Sequence, residues 1–525
     1  MIHSTTTRAC WTALLSAALF NRKAAALLAA GLLPAQAATD IYSGQASGST
    51  TTPTTGNFLL GFNGNGATGY ATPTGSATEN LTFNGTGATP YTATDNFAGL
   101  FSLNVLTLNS TASVSETIAS SALTNTLSFA GSAPATGIVQ NGSGAFTISS
   151  ILTGTNGLTF SAVTGGTGSV TLSGNNAYTG GTTVNSGTLV AGVSTTAFGV
   201  SSNQLTINGG TVDFNGKGEQ ISGLSGAPGG TLNNSQAVTS TLNLFGGTGT
   251  FAGIISGNFN INEAGSANGI EIFSGANTYI GSTTVKQGTL TVGTGGTLGA
   301  TTNTLVVSNS NKTAAGNAAF LNLSTTAPTT TGSLSGTIAA TTGGGKNTVT
   351  INNGGQLFTV NQTAANTYAG VIAGTGGFTL GSSSTAALTL TGGNTFTGDI
   401  NINAGTLKAG SGYTGTSAAT DLGNVTVARN INVNNGGTLT FGATNVLGDS
   451  SSSAPVATLT VAAGGLVNSV GGQFNMLGPV ILTGGTITST AGYGSIYDSF
   501  LFRGNVTTSG IATSTLSTSG GANSQ

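Results

Sequence analysis

The densest gathering of charge in this 525-residue chain is the stretch DFNGKGEQ, which holds Asp213, Lys217 and Glu219 within seven residues. Two carboxylates and an amine so close together have the composition of an acid–base site, the kind that cleaves a glycosidic bond when the carboxyls converge on it. The competing reading is a solvated loop between rungs, and it is the expected one, since a scaffold shared with polysaccharide-cleaving enzymes does not by itself imply their function. Asp399 and Glu263 stand alone and are expected as surface charges. Tyr178, Tyr279 and Phe396 recur at one position of a repeated phrase. They would stack sugar rings if they faced outward, but core or corner packing is the expectation.

Other chemistry is excluded by what the chain lacks. His3, Cys10 and Trp11 are the only residues of their types, and all three lie in a leader-like segment. That segment carries Arg8, Arg22 and Lys23, then the apolar run Ala24 to Leu33, then small residues at Ala35 and Ala37. It is expected to be a secretory signal peptide spanning residues 1–37, too short in its apolar run to span a membrane. Once it is removed, no thiol nucleophile, Ser-His-Asp triad or Cys/His zinc site can be built. No calcium-binding G-G-x-G-x-D phrase or EF-hand pattern occurs, and Gly-rich phrases such as GTGTFAG lack the Lys and strand–helix context of a phosphate loop. No catalytic, cofactor-binding or metal-ligating residue is therefore assigned. The remaining chain has seven basic against twelve acidic residues, a net charge of −5. It offers no basic patch for nucleic acid or an anionic membrane. Charged residues make up 4% of the chain and glycines number 87, yet the mean hydropathy is +0.21, which argues against disorder.

The elements that position these residues come from repetition. GNNAYTGGTTVNSGTLVAG at residues 174–192 returns as GANTYIGSTTVKQGTLTVG at 275–293 and as GGNTFTGDININAGTLKAG at 392–410. Thr182, Thr283 and Ile400 share a column. So do Val184, Val285 and Ile402, then Leu189, Leu290 and Leu407, then Ala191, Val292 and Ala409. Polar residues fill the positions between, so each copy alternates with period two, as a half-buried strand does. The phase changes across N-S-G, K-Q-G and N-A-G, which are read as tight turns. Weaker versions, such as LTINGGTVDF from Leu205 and INVNNGGTLTF from Ile431, fill the intervals. Unequal spacing between copies disfavours a propeller, and a sandwich has no need of one phrase throughout. A β-solenoid, in which each coil stacks only on its neighbours, accommodates both. With coils of about 20–25 residues stacked about 4.8 Å apart, the expected rod is on the order of 100 Å long. One position breaks the pattern. Glu271 falls where Val170 and Leu388 stand in the other copies, and a one-residue bulge turning it outward is expected.

The phrase N-[TA]-[YF]-x-G-x-T-x-V-x-x-G-T-L resembles the autotransporter-associated β-strand repeat of bacterial passengers and other exported proteins. The third copy departs from it at Ile400, Asn401 and Ile402. An element often found upstream in that family is similar to NTYAGVIAGTGGFTL from Asn366 and, in part, to FAGIISGNFNI from Phe251. The resemblance implies an all-β, right-handed parallel β-solenoid at the cell surface, acting in adhesion or as a scaffold. Glycans, extracellular matrix or sister molecules are its expected partners. The organisation expected is an irregular cap or linker over residues 38–95 and a solenoid over 96–525, with the clearest repeats at 170–192, 271–293 and 366–410. No run of alternating ten-residue strands resembles a translocator barrel, so a barrel or other anchor beyond Gln525, or another export route, is expected. The rival functions are a polysaccharide-active enzyme on the same scaffold and a self-assembling sheath or filament component.

Overall fold

A computed structural model describes residues 39–42, 55–58, 62–63, 70–71, 73, 75–85, 90–111, 114–131, 137–163, 166–265, 268–309, 317–339, 347–410, 419–448, 455–470, 473–489 and 500–518. The leader-like segment and much of the stretch to residue 75 lie outside the described residues.

The chain winds as an all-β solenoid of about 16 turns. One face shows how it is built. Strands Thr39–Tyr42, Asn80–Gly85, Val105–Ser110, Gly137–Gln140, Leu158–Ala162, Thr182–Val184, Gln204–Ile207 and Gly223–Ser225 lie side by side, each parallel to the next. Successive coils thus place inward residues in register: Leu158 beside Thr182, and Thr182 beside Leu205. Further parallel sheets continue the stack to Thr515–Thr518. At the N-terminal edge, Phe62–Asn63 pairs antiparallel with Thr39–Tyr42, and Tyr70–Ala71 pairs with Phe62–Asn63 in turn. This covers an edge that would otherwise offer unpaired backbone groups. The parallel ladder includes Asn80–Gly85 and Thr92–Asp95, N-terminal of residue 96.

The alternation in the sequence is the reason for this winding. Val184, Leu189 and Ala191 in the first clear repeat, Val285 and Leu290 in the second, and Ile400, Ile402, Leu407 and Ala409 in the third have no exposed surface. One continuous apolar cluster runs from Tyr42 to Ile487. Aromatic rings pack between coils, Phe198 tilted against Phe214 at 5.9 Å and Phe214 edge-to-face with Phe259 at 5.3 Å. The turns are where the pattern predicts them: Gly187, Gly288 and Gly405 take φ of +82°, +88° and +72°. L side chains disfavour that region.

At about 4.8 Å per coil, 16 turns make a rod of roughly 80 Å, shorter than the expected length. The coils are longer than the sequence spacing suggests. Ser186 follows its partner on the coil below, Ala162, by 24 residues, but Asn432 follows Asn401 by 31.

Candidate functional site

The DFNGKGEQ stretch does not assemble. Asp213 ends the strand Gly209–Asp213, and its Oδ1 accepts hydrogen bonds from the Asn215 amide at 2.8 Å and the Ser235 amide at 3.0 Å. It closes its own turn and ties that turn to the next coil. Lys217 lies half-buried on the turn, held by its amide to the Phe214 carbonyl at 2.7 Å. Glu219 is not in a solvated loop, as the sequence suggested. It opens the strand Glu219–Ile221, points inward and is 1% exposed. Burial raises its pKa to about 9, against the pull of the Ala197 amide. An inward Glu219 and an outward Asp213 share no reaction centre.

Two further expectations about carboxylates are corrected. Glu263 is not a surface charge. It ends the strand Ile254–Glu263, pairs in register with Leu244 and Val285, and has no exposed surface. Glu271 sits on no bulge. Ile270, Glu271, Ile272 and Phe273 pair without a break with Thr289, Leu290, Thr291 and Val292, and Glu271 points inward, fully buried. What accommodates it is glycine. A Cβ on Gly249, its ladder partner, would lie 2.6 Å from Glu271 Oε2, and one on Gly223 would lie 2.5 Å from Oε1. The carboxyl fills the slot these two residues leave empty, and Oε2 accepts a long hydrogen bond of 3.3 Å from the Leu224 amide. Burial, aided by the nearby charge of Glu263, raises its pKa to about 8, and burial does the same for Glu263. Asp399 is exposed, as expected, and accepts from the Asn430 amide at 2.7 Å.

The aromatic column is core: Tyr178, Tyr279 and Phe396 are 2%, 0% and 0% exposed. Their surroundings hold the residues that the sequence reading missed. Two positions before each aromatic stands a buried asparagine that bridges three coils. Asn176 Oδ1 accepts from the Leu152 amide on the coil below at 2.9 Å, and its Nδ2 donates to the Ala197 carbonyl on the coil above at 2.7 Å. Asn277 does the same between Ile255 and Thr297, at 2.9 Å each way. Asn394 does so between Ile372 at 2.7 Å and Asp421 at 2.6 Å. Ile255 and Ile372 belong to the upstream elements FAGIISG and NTYAGVIAG. The two phrases occur together because the amide of one is the donor for the asparagine of the other. The signal was an asparagine at one column of all three copies. An exposed asparagine has no reason to be held there, whereas a buried one must find partners.

A second set of residues closes the corner above each aromatic. Asn203 Nδ2 donates to the Tyr178 and Phe198 carbonyls at 2.8 and 3.3 Å, and Asn303 donates to those of Tyr279 and Leu298 at 2.9 and 3.1 Å. Gly199 and Gly299, at φ +86° and +75°, leave room for these side chains. In the third repeat a guanidinium replaces the amide: Arg429 donates to the Phe396 carbonyl at 3.0 Å and to that of Leu422. It also lies over the Phe396 ring, 5.4 Å from its centroid. Burial lowers its pKa to about 10, and Asp399 acts against that shift. The hydroxyl pairs change in step. Tyr178 meets Thr182, and Tyr279 meets Thr283, at 2.5 Å. In the third copy Phe396 and Ile400 stand in both places, so neither is left with a buried unpaired hydroxyl.

Outside, the coils present hydroxyls and amides. Thr92, Thr117, Thr147 and Thr171 form one column over four successive strands. Asn84, Asn109 and Asn141 hydrogen-bond side chain to side chain at 3.1 Å per step, and Asn401–Asn432 and Asn403–Asn434 repeat the device at 2.9 and 2.7 Å. Among the described residues, no three His, Cys, Asp or Glu side chains converge as metal ligands. No described helix is long and apolar enough to cross a membrane.

A family model described as Passenger-associated-transport-repeat matches the chain three times, at residues 165–191, 268–292 and 383–409. Each match holds one asparagine staple and its aromatic neighbour. No curated protein and no solved structure matches the chain.

Proposed function

We propose, from the premise that this chain carries three passenger-associated-transport repeats on a β-solenoid, that it is the exported, surface-displayed part of a bacterial passenger protein, non-catalytic and acting in adhesion or as a surface scaffold. Residues 1–37 serve as its export signal in this reading. The observation that carries it is the division of labour across each strand. The repeated positions are spent on stacking: apolar residues inward, glycine at the turns, and asparagine and threonine tying coil to coil. The carboxylates with shifted pKa values are inside the coils, where no polymer reaches them. What faces outward is a long, nearly uncharged array of threonine and asparagine, suited to repeated weak contacts with neutral polymers such as glycans.

Two measurements test this. Brief protease treatment of intact cells, followed by detection with an antibody against residues 170–410, should remove the protein while cytoplasmic markers survive. Survival of the protein overturns surface display. The purified chain should bind immobilised glycans or matrix proteins in an avidity-dependent manner and release no reducing ends from a polysaccharide panel. Turnover on any member of the panel would replace this reading with the enzymatic one.

A further inference from the structure

Most side chains buried in the solenoid are uncharged, but three glutamates of its middle coils bring ionisable groups inside within a short length. Glu219 stands in the same inward column as Leu242 and Ile261. Glu263 stands in the neighbouring column, with Ile221, Leu244 and Val285. Glu271 reaches across Gly249 to the Leu224 amide of an earlier coil. Glu219 Oε1 and Glu271 Oε1 are buried without a hydrogen-bond partner. A carboxylate so placed is unstable, whereas a neutral carboxyl is tolerable.

We propose that Glu219, Glu263 and Glu271 make the coils spanning residues 219–292 a proton-held segment, closed while these carboxyls are neutral and the first part of the solenoid to open when they ionise. The groups facing them do not supply compensating charge. Tyr178 faces Glu219, and Glu263 and Glu271 face each other. Among the described residues, no cation acts on any of the three. On the elements packed around them, Asp213 and Lys217 lie half-buried on the outer side of the turn before Glu219, and Lys286, after the strand Ile280–Val285, is exposed. With the shifts to about 9, 8 and 8, the loss of stability sets in above the ordinary carboxylate range and is complete only above about pH 8–9. The direction follows from proton binding. Between the ordinary carboxylate pKa and the raised one, the closed state holds protons that the opened state has lost, so rising pH favours opening.

Hydrogen exchange followed by mass spectrometry on the full chain tests this, with residues 366–441 as the internal reference for base catalysis of exchange. From about pH 5 to about pH 9, protection of 219–292 relative to the reference should fall by about tenfold or more. In the triple variant Glu219→Gln/Glu263→Gln/Glu271→Gln the ratio should stay flat. An unchanged ratio in the native chain, or a fall of equal size in the variant, overturns the proposal. Should the triple variant not fold, Glu271→Leu, which matches its ladder partner Leu290, carries the test by infrared spectroscopy. It should lose part of the protonated-carboxyl band that the native chain shows at neutral pH. An undiminished band also overturns the proposal.

Discussion

The residue that most repays attention is the asparagine of N-x-[YF]. Leucine or valine at the inward positions fills space, and many residues of similar size would do. Asn176, Asn277 and Asn394 satisfy one backbone donor and one backbone acceptor on different coils, in bonds that are buried except that from Asn277 to the exposed Thr297, which is part-buried. Asn277→Ala would orphan the Ile255 amide and the Thr297 carbonyl. We expect a loss of about 2–3 kcal/mol of local stability, measured by hydrogen exchange in the three coils it joins. The hydroxyl pair beside it gives a sharper test. Tyr279→Phe and Thr283→Ile should each destabilise, while the double variant, which copies the third repeat, should recover about 1 kcal/mol or more relative to the sum. A purely additive cycle would show that the 2.5 Å contact contributes nothing specific.

At the scale of the element, the strand–turn–strand unit depends on glycines whose roles differ by position. Gly187 and Gly436 both hold positive φ, +82° and +84°. A Cβ on Gly187 would meet the Ala162 side chain at 2.6 Å and the Phe160 ring at 3.1 Å, whereas on Gly436 it would meet only the Asn403 carbonyl at 3.8 Å. Gly436→Ala should therefore cost about 1–2 kcal/mol, the strain of the left-handed conformation alone. Gly187→Ala should cost distinctly more, because the coil below must also shift. Thermal unfolding of the two variants side by side measures the difference, and equal losses would mean that the packing term is relieved elsewhere. Gly249 is a third kind. It is a strand residue whose missing side chain is the space that Glu271 occupies.

For the whole molecule, the consequence of stacking is that the protein behaves as a row of coupled units with no single keystone. Its interior carries carboxyls along its length. Besides the three middle glutamates, Asp95 is fully buried with its pKa raised by burial to about 6. Glu116 is shifted upward by burial and accepts from Ser110 at 2.8 Å. All these shifts are upward, so the sign of the pH dependence is common to them. Stability is fullest below the ordinary carboxylate range and declines as pH rises toward 8–9. At pH 7 each of the three middle glutamates holds down stability by on the order of 3 kcal/mol relative to acid conditions. The midpoint of thermal unfolding should fall steadily from about pH 5 to about pH 9. A midpoint that rises with pH over that window would contradict the burial of these groups.

The sequence by itself determined the solenoid. Period-two alternation, glycine at the phase changes and one phrase spelled three times leave few other ways to bury the apolar residues, and the inward columns it named are the ones found buried. It also placed Tyr178, Tyr279 and Phe396 in the core. Its errors concern charge. Glu263 and Glu271 were turned outward on the general rule that carboxylates stay in water, yet in-register pairing leaves a residue no choice of face: moving Glu271 out would turn Ile270 and Ile272 in and expose Phe273. Only the tertiary structure decided that the ladder would keep its register and take in neutral carboxyls where Gly223 and Gly249 leave room. The partners of Asn176, Asn277 and Asn394 were likewise invisible in the chain, because each lies on another coil, 20 to 27 residues away. Local pattern sets which side of a strand a residue faces, while what it meets there depends on the coils above and below.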